Sequence, residues 1–400
     1  MKKTILISAI AACAALAAGA AGNKEAPIGV FDSGVGGLTV LEQLLKTDVV
    51  DNATGRPGAD GIPDLAGEEF VQLGDQANLH YGSYAAAGGD AFLRELAIRD
   101  AFFLLSDGYY RNAAEEFPSG RKTPAKIIVI ACNTATAYGF EGIESTLRKI
   151  ASHVRVIGVV DAGARLTFDT LKTKRGDAPF AVGVMSTPGT DASGVYPRKI
   201  LAEAEKRGLP PPRVVHRGCE DLAKAVEDSS PEGPKIVRRY FRELVEELRS
   251  AKVKTPLRAL IFGCTHYPIL RDAFEKTLAE IRADQELAKY IADDFTFIDP
   301  AVATAIECRA ALAADGLLAH RSTATKARMF VSVPAAGLPK EVLDDHGELK
   351  SSYKYTRKPG LDVIDTRFVP VETGVRDRES FDRILNLLPA VKAVLLDWAI

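Results

Sequence analysis

Cysteine is scarce here, five in 400 residues, and no two are spaced C-x-x-C. That excludes a disulfide framework and leaves no zinc or thioredoxin-like motif. Net charge is also nearly absent: 51 Lys and Arg against 53 Asp and Glu give a formal −2. Nothing therefore points to nucleic acid or an acidic surface as a partner. Past the first two dozen residues no apolar run is long enough to span a membrane. No short-period repeat occurs, which excludes solenoids. What is present is an ordinary globular composition, 46% apolar and 26% charged, long enough for one large or two ordinary domains.

The start of the chain differs from the rest. Lys2 and Lys3 precede an apolar run over 4–18, followed by Gly19-Ala20-Ala21-Gly22 and polar Asn23-Lys24-Glu25. This is the layout of a secretory signal peptide over residues 1–22, with Ala18-Gly19-Ala20 as an A-x-A cleavage site. A buried N-terminal helix is the plain alternative. Ile10-Ala11-Ala12-Cys13 also fits a lipobox, but the apolar run continues past Cys13. Export to the periplasm is the expectation, with a lipid anchor through Cys13 as its alternative.

Apolar runs at 28–31, 70–73, 127–131, 154–159, 180–185, 257–262 and 295–298 predict strands. Between them, amphipathic stretches at 38–45, 134–150, 164–171, 195–206, 236–248 and 270–278 predict helices. Alternating strands and helices imply an α/β fold with parallel-rich sheets and right-handed crossovers. Residues 51–67 are rich in Gly, Pro, Asp and Asn and read as a loop. Its Asp60-Gly61-Ile62-Pro63-Asp64 core has few carboxylates and no full calcium-ligand pattern. Residues 90–120 add a helical stretch at 91–105. The tail from Ala327 adds strand-like runs at 329–333 and 368–371 and a final helix over 381–398. No chemistry can be assigned to that tail.

Three motifs carry chemistry. VFDSGVGGLTV (30–40) ends a strand in Asp32-Ser33, then turns through glycines into a helix. Its glycines let backbone N–H groups approach an anion, but the G-x-G-x-x-G dinucleotide spacing is missing. IIVIACNTATA (127–137) and RALIFGCTHYP (258–268) each present a cysteine, Cys132 and Cys264, just after a buried strand. In open α/β sheets the carboxyl ends of strands gather reactive groups. A lone cysteine there is usually a small buried hydrophobe. Two in matching contexts, followed by Asn133-Thr134 and Thr265-His266, suggest two half-sites for one substrate and are compatible with two related halves of the chain. Cys219 and Cys308 lack such neighbours and read as structural.

In the order Asp32, Ser33, Gly74-Asp75, His80-Tyr81-Gly82, Cys132-Asn133-Thr134, Thr187-Pro188-Gly189-Thr190, Glu227 and Cys264-Thr265-His266, the chain resembles the cofactor-independent glutamate racemases of the aspartate/glutamate racemase superfamily. The resemblance covers about residues 27–310. It implies two pseudo-symmetric α/β domains with the substrate between them: 23–155 plus 289–400, and 156–288. It further implies pyridoxal-independent interconversion of L- and D-glutamate, with no cofactor and no metal, linked to D-glutamate for peptidoglycan. A homodimer is implied as well.

Racemisation needs one acid/base group on each face of the α-carbon, and a thiol suits the task because neighbours readily tune it. The resemblance assigns Cys132 and Cys264 to these roles. Asp32 would assist Cys132, with His266 and Glu227 assisting Cys264. Ser33, Tyr81, Gly82, Asn133, Thr134, Thr190 and Thr265 would contact substrate. Three departures stand out. The family usually has Pro-Tyr-Gly where this chain has His80-Tyr81-Gly82, and Glu-Pro-Gly where it has Asp161-Ala162-Gly163. Asp191 also places a charge beside Thr190. Aspartate or broader-spectrum racemisation, a catalytically silent amino-acid-binding protein, and a thiol redox protein joining Cys132 to Cys264 remain open alternatives. The last needs the two Cα atoms within about 7 Å.

Overall fold

The computed structural model describes residues 22–151, 153–251, 255–320, 324–360, 364–375 and 377–395. The expected signal peptide up to residue 21, its cleavage site and Cys13 lie outside the described residues, as does the end of the expected helix 381–398. Twelve strands occur among the described residues: β1 Ile28–Asp32, β2 Glu69–Gly74, β3 Gly108–Tyr109, β4 Gly120–Arg121, β5 Ile127–Ile130, β6 Arg155–Gly158, β7 Ala181–Ser186, β8 Arg213–Gly218, β9 Leu257–Gly263, β10 Ile291–Ile298, β11 Lys326–Pro334 and β12 Thr366–Pro370. The chain divides into two units, Met1–Gly158 with Ala305–Ile400, and Val159–Thr304.

The first unit carries a six-stranded sheet in the order β12-β11-β2-β1-β5-β6. Only the β11/β12 pair is antiparallel. β1 and β5 are buried throughout, which is why they read as unbroken apolar runs. The second unit carries a parallel sheet in the order β10-β9-β7-β8. The two parallel cores share one connectivity. In each, the second strand lies on one side of the first, and the third and fourth lie on the other. The fold class read from the sequence is the one observed, down to the repeated half.

Several boundaries differ from the sequence expectation. The second unit runs to Thr304 rather than residue 288, because β10 pairs in parallel with β9 from Thr296↔Ala259 to Ile298↔Ile261. β8 was not anticipated; it is an edge strand of mixed polarity, mostly half-buried, and so lacks an apolar signature. The strand expected at 154–159 stops at Gly158, and Val159 opens the helix Val159–Leu171. The tail strands are found, but as sheet members: β11 extends the core beside β2, with Val331 opposite Gly74. In the 51–67 loop the carboxylates serve the loop's own backbone. Asp64 accepts from Val49 and Val50 N–H at 3.2 and 3.1 Å, and Asp60 from Asn52 and Ile62 N–H at 2.7 and 3.0 Å.

Candidate active site

In the first unit the chain order β1, β2, β5 reverses direction across β1, so the crevice at the carboxyl ends of β1 and β5 is where such sheets bind ligands. Asp32 and Ser33 stand at the end of β1, and Cys132 follows β5. The three form one buried cluster. Ser33 Oγ donates to Asp32 Oδ1 at 3.0 Å, and Gly34 N–H reaches the same oxygen at 3.3 Å. Cys132 Sγ lies 3.8 Å from Ser33 Oγ. Cys132 is also the N-cap of the helix Asn133–Ile150, its sulfur accepting from Ala135 N–H at 3.3 Å. Burial, then the Asp32 charge, push the Cys132 thiol well above its ordinary value, outweighing these hydrogen bonds. At neutral pH Cys132 is therefore a thiol, equipped to give a proton. The close approach of the next helix needs Gly37, where a Cβ would sit 2.6 Å from Asp32 Cβ.

The loop after β2 adjoins this cluster, since Asp75 N–H donates to Asp32 O at 2.9 Å. Tyr81, expected to contact substrate, turns its hydroxyl inward: Oη lies 2.5 Å from Asp75 Oδ2 and 2.6 Å from Asp100 Oδ2. That hydroxyl is committed to the interior, so only the Tyr81 backbone is left for the expected role. One hydroxyl hydrogen cannot serve two carboxylates. Burial and the adjacent Asp75 push Asp100 well above the usual carboxylate range, so Asp100 holds the second proton. Arg99 pairs with Asp75 at 2.8 Å, and Asn78 Nδ2 donates to Asp75 Oδ1 at 2.7 Å. Arg99 and Asp100 were not singled out from the sequence. The helix that carries them, Asp90–Leu105, holds five charged residues, and nothing local marks Asp100 as the one that is fully buried.

The second unit repeats the arrangement with different chemistry. Cys264 follows β9, the third strand, as Cys132 follows β5. Its Sγ lies 3.4 Å from His266 Nδ1, and His266 Nε2 lies 2.8 Å from Glu227 Oε1, at the end of the helix Leu222–Glu227. Glu227 and His266, picked from distant parts of the chain, thus join Cys264 in one array. Burial disfavours the imidazolium, but the Cys264 and Glu227 charges prevail and hold His266 well above its ordinary value. A charged His266 can donate to both neighbours and offset negative charge on the sulfur. Gly263 permits the tight strand contact, for a Cβ there would meet Met185 O and Ser186 Cβ at 2.8 Å.

Thr190 is fully buried with its hydroxyl 3.0 Å from Thr187 Oγ1, at the end of β7. Asn133, Thr134 and Thr265 are buried immediately beside the two cysteines, and Gly82 lies in the first turn of the helix Tyr81–Ala86. Asp191, the unusual charge, lies 3.1 Å from His216 Nδ1, and His216 Nε2 is 2.7 Å from Ser186 Oγ. Despite the Ser-His-Asp composition this is no nucleophilic site: Ser186 is wholly buried and its hydroxyl donates to Thr187 O at 3.1 Å. Burial lowers His216 to about 4, so it is neutral at pH 7. Cys219 and Cys308 are buried and pushed up by that burial, as structural thiols should be. Among the described residues no three His, Cys, Asp or Glu side chains are grouped as a metal site.

Residues 106–308 match the family model described as Asp/Glu/Hydantoin racemase. The glutamate racemase of Thermus thermophilus is 32% identical over 297 residues, covering 74% of this chain and 83% of that protein. That of Levilactobacillus brevis is 29% identical over 306 residues, covering 76% and 86%. Among solved structures, glutamate racemase isoform RacE1 from Bacillus anthracis gives a TM-score of 0.53 at 27% identity, covering 77% of this chain and 89% of that one. Glutamate racemase from Francisella tularensis in complex with D-glutamate gives 0.50 at 25% identity, covering 76% and 88%. With half the chain under the family model and a relative above 30% identity, this chain belongs to the Asp/Glu/hydantoin racemase family.

Proposed function

We propose that this chain is an isomerase that interconverts L- and D-glutamate without pyridoxal, using Cys132 and Cys264 as the two acid/base groups. The observation that carries it is the repetition: two units of one connectivity each present a thiol after the third strand, each supported by buried polar groups. One sulfur takes the α-proton and the other returns a proton to the opposite face. Cys132, held protonated beside Asp32, is ready to give. Cys264, facing the His266 imidazolium that Glu227 holds, is the partner that takes. The next turnover, in the reverse direction, exchanges the roles. Without an electron sink the carbanion-like transition state depends on oriented donors and exclusion of water. Ser33, Asn133, Thr134, Thr190 and Thr265, with the backbone of Tyr81 and Gly82, serve as those donors.

The test is α-proton exchange in D2O, followed by NMR, with L- and D-glutamate and then aspartate, on reduced protein beginning at residue 23. Racemisation lost in both Cys132→Ser and Cys264→Ser is expected, with any residual exchange confined to the enantiomer whose face keeps its thiol; no exchange by the wild type with any acidic amino acid would overturn the proposal. The proposal extends to export, supported by the leader's residue pattern, and to D-glutamate for the cell wall, supported by the family resemblance alone. Cell fractionation with N-terminal sequencing of the mature chain checks the former. Light scattering checks the homodimer that the family resemblance suggests.

A further inference from the structure

Four consecutive residues of the loop after β2 are each held by a side chain from the C-terminal elaboration. Ala77 N–H donates to Ser332 Oγ at 2.9 Å. Arg357, almost fully buried, donates to Asn78 Oδ1, and to Tyr84 Oη at 2.9 Å. Leu79 O accepts from Lys354 Nζ at 2.6 Å and from Tyr355 Oη at 3.3 Å. His80 N–H donates to Tyr355 Oη at 3.1 Å. The Tyr355 ring packs edge-on against Tyr84 with centroids 4.9 Å apart. These partners stand more than 250 residues apart in the chain, with separations from 255 to 279.

The loop they grip is the one that leads from Asp75 to Tyr81 and Gly82. Asp75 is bonded to Asp32, and Tyr81 shares a buried cluster with Cys132. Loops at a sheet's carboxyl edge are ordinarily the mobile part of such a site, and a 1 Å misplacement there can cost heavily. His80 supplies the N–H that Tyr355 captures. Proline, which the resembling family usually has at this position, has no such hydrogen.

We propose that Lys354, Tyr355 and Arg357 form a positioning element of the active site, in which Tyr355 fixes the His80–Gly82 segment against the Cys132 half-site. The proposal rests on the racemase reading and assigns a role to a segment that carries no motif of its own. Tyr355→Phe keeps the ring against Tyr84 and removes only the hydroxyl contacts. KM for glutamate is expected to rise about tenfold in both directions, the scale of one neutral hydrogen bond, with kcat within about twofold. Lys354→Met should act in the same sense. Tyr353→Phe, on the same segment but bonded to Asp365, should leave KM unchanged.

In a His80→Pro background the N–H is gone, so Tyr355→Phe should raise KM by a smaller factor, as a double-mutant cycle reads directly. An unchanged KM in Tyr355→Phe overturns the proposal. So does a fall in melting temperature with kcat and KM unmoved, which would mark a merely structural contact. Wild-type protein inactive on glutamate and aspartate would instead sink the racemase reading, and this proposal with it. An active wild type with an unaffected Tyr355→Phe sinks this proposal alone.

Discussion

Glu227→Gln tests the Cys264 half-site most directly, because it removes one charge while keeping the side chain's size. Glu227 Oε1 is 2.8 Å from His266 Nε2, and the two side chains are 13% and 4% exposed. Opposite charges about 4 Å apart attract by roughly 4 kcal/mol at an effective dielectric near 20. Part of that is offset by desolvation, so the net contribution of a hydrogen bond to a charged group, about 1.5–3 kcal/mol, is the better guide. At about 1.4 kcal/mol per tenfold, kcat/KM should fall roughly tenfold to a hundredfold. Because the two enantiomers have equal free energies, the loss must be equal in both directions. The sign is set by His266: its folded pKa is raised in part by Glu227, so the variant loses the imidazolium at lower pH than wild type does. Activity should therefore decline earlier on the alkaline side. Polarimetry from each enantiomer across pH reads both effects, with circular dichroism as the control for folding. A folded variant within twofold of wild type, with an unmoved alkaline limb, would refute the Cys264-His266-Glu227 relay.

Asp32→Asn removes a negative charge that raises the Cys132 thiol, so the thiol should ionise at lower pH. Alkylation of Cys132 by iodoacetamide, followed by mass spectrometry across pH, should then begin at lower pH than in wild type. Asp100 is raised in the folded protein, so wild-type stability falls as pH rises from about 3.8, where the unfolded carboxyl ionises, toward the folded value. Asp100→Asn can still donate to Tyr81 without taking up a proton, so its melting temperature relative to wild type should increase with pH above about 4; a constant difference in scanning calorimetry would contradict the protonated Asp100. Gly263→Ala forces a Cβ to within 2.8 Å of Met185 O and should cost about 1–3 kcal/mol in urea unfolding.

The parallel strands were legible because burial on both faces leaves an uninterrupted apolar run, as in β1 and β5. Edge strand β8 was not, since its half-buried residues carry no such signature. The two cysteines stood out for the same local reason: each lies one or two residues past a buried strand. Glu227 emerged only through family resemblance, for a carboxylate at a helix end has no local mark of function. That the Tyr81 hydroxyl is committed to Asp75 and Asp100, leaving its backbone for substrate, was not legible, because Asp100 lies nineteen residues away on another helix.

By itself the sequence determined the alternation of elements, the two thiols at strand ends and the near-neutral surface, all of which follow from side-chain period and composition. Only the tertiary structure decided that Cys132 is held as a thiol and His266 as an imidazolium, since burial and neighbours remote in the chain set their protonation. It alone assigned the C-terminal elaboration its place, as β11 beside β2 and as the side chains gripping residues 77–80. Such contacts join positions more than 250 residues apart, and no local pattern of polarity encodes which distant polar group a half-buried Tyr or a buried Arg will satisfy.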